Sequence, residues 1–251
     1  MSEVRSIYHK GHNGRGILLL HGFTGTTLEM KPVAEFFRGS GYAISAPLLA
    51  GHGTSPEHLK KTTWREWLYS AEEGYHQLLA SGNRVIYAIG LSMGGILALK
   101  LAQRYEFRAM ATLSSPIVVR DTRMKYARYA KWILPYVPGT REKKAPHIEK
   151  YLVPYSKTPL ASVYSLYQLI EEVKGELPQI KTPIFIAQSG QDETVDPASA
   201  DYIYDEIGSN YKKLIHYPLS SHIITLDHDR HQLFMDVAKF FEEVTWSVEG
   251  R

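Results

Sequence analysis

Cysteine is absent from all 251 residues. Its absence excludes disulfide staples, thiolate metal sites and a cysteine nucleophile, so folding rests on an apolar core. Long apolar runs are also missing, and none approaches the roughly 20 residues that span a bilayer. The polar start, MSEVRSIYHKGHNGRG, has neither the apolar stretch nor the small-residue cleavage site of a secretory signal. The expectation is a cytoplasmic location without stable membrane insertion. An excess of one charge is lacking too, since 29 Lys and Arg against 26 Asp and Glu leave a formal net charge of +3. The signs are interleaved, which argues against a nucleic-acid groove and for a solvated surface. Internal repeats, low-complexity tracts and linkers are not found.

What is present suits one α/β domain over residues 1–251, because short runs rich in branched apolar residues alternate with longer helical patterns. The candidate strands are RGILLL ending at Leu20, YAISA at Ala46, RVIYAI at Ile89, AMATL at Leu113, IFIAQ at Gln188 and KKLIHY at Tyr217. Helices are expected from about Glu29, Thr63, Ser92, Pro197 and Asp229, with Thr63 and Glu66 in the form of a capping box. The alternation fails between Pro116 and about Pro178, a stretch far longer than a crossover needs. An aromatic and basic cap at about 117–177, broken into short helices by prolines, explains it. Its last helix, LASVYSLYQLIEEVKGEL, reads equally as part of the core.

Gly90, Leu91, Ser92, Met93 and Gly94 form GxSxG between a buried strand and a helix. A serine at such a corner has a strained backbone, glycines remove the collisions around it, and the helix amino end favours negative charge at the hydroxyl. Upstream, another strand ends in His21-Gly22-Phe23-Thr24-Gly25. The backbone N–H groups of Phe23 and Met93 are the candidate oxyanion donors, while His21 reads as an organiser of the loop. A serine nucleophile also needs an imidazole and a carboxylate that holds it. His222 falls in a loop after the last strand; His216 reads as packed within that strand, and His228 and His231 as solvated. Among the acids of QDETVDP, Asp192 stands just past a strand end. Asp196 before Pro197 reads as a helix cap, and Asp227 as a cap of the last helix.

With LLLHGFTG, GHG at Gly51–Gly53, GLSMGG, QDETVDP and SSHIITLD, the chain resembles the bacterial carboxylesterases and monoacylglycerol lipases of the α/β-hydrolase fold. The resemblance covers nearly the full length outside the cap. It implies a mostly parallel sheet flanked by helices, a small helical cap, a Ser92–Asp192–His222 triad and oxyanion donors at Phe23 and Met93. The expected reaction is hydrolysis of a small ester or monoacylglycerol through an acyl-enzyme, with no metal or organic cofactor. A thioesterase or acyltransferase would use the same triad, and a peptidase the same fold; a receptor that binds lipid or ester without turnover is the reading from another class. In the cap, Trp132, Ile133, Leu134 and the tyrosines are candidates for an acyl pocket, against ordinary helix packing. Arg120, Arg123, Lys125, Arg128 and Lys131 read as a solvated face, with docking on an anionic lipid surface as the competing view.

Overall fold

The computed structural model describes residues 4–119, 122–131, 133–139 and 143–249. Its strands are β1 (Ile7–His9), β2 (Arg15–Leu20), β3 (Ala43–Ala46), β4 (Val85–Leu91), β5 (Ala109–Leu113), β6 (Tyr136–Pro138), β7 (Lys157–Pro159), β8 (Ile184–Ser189) and β9 (Lys212–Tyr217). The helices are α1 (Lys31–Gly39), α2 (Pro56–Leu59), α3 (Trp64–Ala80), α4 (Met93–Leu101), α5 (Ala127–Ala130), α6 (Pro146–Glu149), α7 (Leu160–Glu176), α8 (Ala198–Glu206) and α9 (Arg230–Glu249). Seven strands form one sheet in the order β1-β3-β2-β4-β5-β8-β9, parallel throughout except for the β1–β3 pair.

The central strands are covered on both faces, which is why they read as unbroken apolar runs. Along β2 the alternation of side chains divides the core. Leu18 and Leu20 face a layer with Trp67, Leu78, Ile96 and Leu169, drawn from α3, α4 and α7; Ile17 and Leu19 face one with Val33, Phe37, Phe234 and Phe241, drawn from α1 and α9. Thr63 caps α3 in a reciprocal box with Glu66, as its spacing predicts.

The strands expected from apolar runs are found within a residue or two, and three further strands are not anticipated. β1 is a three-residue, half-exposed edge strand, too short to make a pattern. β6 and β7 pair as a separate two-stranded antiparallel sheet inside the 114–183 segment, where only short helices were expected. His216 is another correction: its side chain is half exposed, because β9 is the sheet's outer strand. Helix α7 buries Leu166, Leu169, Ile170 and Val173 in the main core, so this part of the long segment packs with the sheet layer. Lys100 of α4, itself buried, fixes that packing through ion pairs to Glu172 at 2.6 Å and Glu176 at 2.8 Å.

Ile133 is 90% exposed and Leu134 54%, so neither takes part in ordinary helix packing. Lys125 and Arg128 are exposed, each lying over the ring of the following tyrosine. Trp132 and Arg120 lie outside the described residues, as does the Arg123 side chain.

Candidate active site

Four loops meet beyond the carboxyl ends of β2, β4, β8 and β9, the edge at which open α/β sheets hold their ligands. At the end of β4 the chain must reverse into α4 within one residue. Ser92 makes that turn with φ 53° and ψ −121°, a conformation a side chain adopts only at a cost of about 1–3 kcal/mol. Its N–H donates to Leu113 O at 2.8 Å, locking the corner to the neighbouring strand. A Cβ at Gly90 would sit 2.2 Å from Gly94 O, and one at Gly94 2.1 Å from Leu20 O. Both glycines are therefore demanded by backbone rather than by movable side chains.

The loop after β2 folds over the same corner, where a Cβ at Gly22 would stand 3.4 Å from Ser92 Cβ. Among the described residues, neither Phe23 N–H nor Met93 N–H donates to a protein acceptor, and Met93 heads α4. His21 does organise this loop: wholly buried, its ring bonds Gly22 O at 2.9 Å through Nδ1 and accepts from Leu49 N at 3.2 Å through Nε2. Those two bonds require the Nδ1–H tautomer of a neutral ring. Burial pushes its pKa down to about 4 against the hydrogen bond to Gly22. His52 of the GHG turn packs edge-on to His21, Phe23 and Trp67, and burial together with His21 pushes it down to about 3.

Sequence reasoning missed Glu29 beneath this loop. Its carboxyl is buried against Gly22 and Gly25, and a Cβ at Gly25 would meet its oxygens at 2.3 and 2.4 Å. Burial raises the pKa to about 8 despite hydrogen bonding toward the backbone of Gly22 and Thr26, so Glu29 is a neutral acid at pH 7. An acid at a helix start reads as a partner for the helix dipole, and nothing local to the sequence reveals its burial.

In the loops after β8 and β9, His222 Nδ1 and Asp192 Oδ2 are 3.0 Å apart, with the Asp192 side chain fully buried. Oδ1 accepts from Thr194 N at 2.9 Å and Val195 N at 2.8 Å, and Gln188 Nε2 reaches Oδ2 at 3.2 Å. Burial alone would raise the carboxyl's pKa; the bonds from His222, Val195 and Thr194 outweigh it and hold Asp192 below the usual range. His222 N–H donates to Glu193 Oε2 at 3.2 Å, and Glu193 pairs with Lys144 from the long segment. Among the described residues no hydrogen bond joins Ser92 Oγ to the His222 ring, whose bonded partner is Asp192.

Two further acids resolve differently. Asp196 caps α8, accepting from Ala198 N at 3.1 Å as expected. Asp227 does not cap α9 with its side chain. Oδ2 instead accepts from Ser221 N at 2.8 Å and Ser221 Oγ at 2.6 Å, fastening the loop beside His222.

The family described as serine aminopeptidase, S33, matches residues 11–229. The chain belongs to this family. It is a hydrolase of the α/β-hydrolase fold, among carboxylesterases and monoacylglycerol lipases. Similar proteins include a carboxylesterase of Bacillus subtilis (strain 168), 32% identical over 92% of this chain and 94% of the relative. A thermostable monoacylglycerol lipase of Bacillus sp. (strain H-257) is 35% identical over 90% of each chain. Among solved structures, that of the metagenome-derived lipolytic enzymes LipS and LipT superposes with a TM-score of 0.88 at 26% identity, covering 97% of the hydrolase and 99% of the other chain. No helix among the described residues of the hydrolase is long and apolar enough to cross a membrane.

Proposed function

We propose that the enzyme hydrolyses carboxylic esters of short to medium acyl chains, monoacylglycerols among them, with Ser92, His222 and Asp192 as its triad. The observation that carries this reading is the buried Asp192, held in its ionised form 3.0 Å from His222 Nδ1, with a serine in a strained turn at the same edge of the sheet. Asp192 keeps the proton on Nδ1, which leaves Nε2 to accept one from Ser92 Oγ as it attacks the ester carbonyl. The carbonyl oxygen becomes anionic against Phe23 N–H and Met93 N–H, the donors this reading assigns to the oxyanion. Protonated His222 then releases the alcohol, leaving an acyl group on Ser92. Water repeats the sequence to free the acid.

The segment at about 117–177 serves as a cap in this proposal, tethered to the site by Lys144 on Glu193 and by Tyr155, whose hydroxyl donates to Gly51 O at 3.1 Å. A cytoplasmic location and a small-molecule substrate without nucleic acid belong to the same reading, the second supported by the balanced, interleaved charge.

The Ser92→Ala variant is expected to keep its fold and lose about four orders of magnitude or more in turnover of a nitrophenyl ester, together with fluorophosphonate labelling. Retained turnover in a preparation free of contaminating esterase refutes the assignment. Esters of increasing acyl length, run beside a monoacylglycerol, a thioester and an aminoacyl amide, separate the esterase from the thioesterase and peptidase uses of the fold.

A further inference from the structure

A cluster of His147, Asp227 and His228 lies outside the proposed catalytic chemistry, and one ligating atom from each falls within 4.8 Å of the other two. Asp227 Oδ1 is 3.1 Å from His147 Nε2 and 3.6 Å from His228 Nε2. Ligands on a tetrahedral zinc ion, with bonds near 2.1 Å, stand about 3.4 Å from one another. Two edges of such a site are thus already close to their final length. The third, between the imidazoles, whose rings meet edge-on with centroids 5.1 Å apart, closes by movement of the His228 ring, which is 66% exposed.

We propose that His147, Asp227 and His228 form a three-ligand zinc site that clamps the 114–183 segment to the loop carrying His222. The carboxylate is oriented for it: Ser221 engages Oδ2 through both its N–H and its hydroxyl, which turns Oδ1 toward the two imidazoles. Oδ1 also accepts from His228 N–H at 2.9 Å. Outer-shell bonds of this kind fix ligating carboxylates elsewhere. Asp227 is nearly buried, whereas His228 is open to solvent and His147 partly so, so the ion has an entry path from the His228 side and water can supply the fourth ligand. Two imidazoles and one carboxylate suit zinc ahead of calcium or magnesium, which prefer all-oxygen sites.

His147 stands 80 residues from Asp227, in α6 of the segment proposed as the cap. An ion here crosslinks that segment to the histidine loop and plays no part in the chemistry at Ser92. The proposal accordingly holds or fails independently of the esterase reading.

The test is titration of the full chain, freed of any histidine tag, with zinc alone, followed by calorimetry and by thermal melting. Cobalt substitution supplies a spectroscopic readout of tetrahedral coordination. One equivalent is expected to bind, with a rise in Tm and a tetrahedral cobalt spectrum. His147→Ala and His228→Ala should each weaken binding at least tenfold and abolish the Tm shift. Neither substitution is at a core side chain, and melting in chelator verifies that the variants fold. Zinc should also slow amide exchange across α6 in the parent. No saturable binding, binding unaffected by both substitutions, or binding without protection of α6 overturns the clamp.

Discussion

Asp192 accepts two backbone N–H bonds on one oxygen and an amide plus an imidazole on the other, so its lone pairs are committed. Asparagine at this position would have to turn its NH2 either on the Thr194 and Val195 N–H groups or on the His222 Nδ1–H. Repulsion at the second site drives the ring into the tautomer that cannot take the serine proton. Asp192→Asn is therefore expected to lower kcat about 10⁴-fold with little change in fold. Steady-state kinetics on a nitrophenyl ester decide it, and a loss under tenfold removes Asp192 from the mechanism. The three candidate triad positions are legible in the sequence because each lies just past a strand end. Glu29 and the Asp227 cluster are not, because burial of an acid and proximity across 80 residues are products of packing.

Among the elements, the turn between β4 and α4 tolerates least. A Cβ at Gly94 meets Leu20 O at 2.1 Å, a backbone atom at the end of β2 that cannot withdraw without pulling the loop after β2 along. At Gly95 the closest atom is the Ser115 hydroxyl at 1.9 Å, which a rotamer change moves away, leaving Ser115 Cβ at 3.0 Å and Gly90 O at 3.1 Å as tight contacts. Gly94→Ala is thus expected to destabilise by about 3 kcal/mol or more and to abolish turnover, whereas Gly95→Ala costs about 1–2 kcal/mol and keeps measurable activity. Chemical denaturation with activity assays on both variants makes the comparison, and equal behaviour of the two would contradict it. The central strands are legible because burial on both faces writes them as continuous apolar runs. β1, β6 and β7, with three residues each, have no period to read.

For the whole molecule, three buried titratable groups beside the loop over Ser92 set a pH optimum for stability. His21 and His52 are neutral when folded, with pKa values of about 4 and about 3, but bind protons below 6.5 when unfolded. Their contribution is present above pH 6.5 and is lost as pH falls toward 4 and below. Glu29 works in the opposite sense: raised from 4.5 to about 8, its contribution is full below 4.5 and disappears as pH rises through 8. Between 4.5 and 6.5 the two histidines outweigh the one acid, and above 6.5 only the acid's slope remains. These groups place maximum stability near pH 6.5, with a decline of about 1.4 kcal/mol per pH unit from there toward 8. Denaturant melts across pH should show the decline in the parent and its absence in Glu29→Gln. A decline that persists in the variant assigns it to other groups.

The order of apolar runs, the glycines around Ser92 and the placement of Asp192 and His222 after strands were sufficient for the α/β architecture and a candidate site, since those signals are local or periodic. Whether α7 sided with the core, whether His216 was covered and what Asp227 fastened were decided by the tertiary structure alone. Each depends on which surfaces come together when distant segments pack, and one-dimensional spacing carries no record of that.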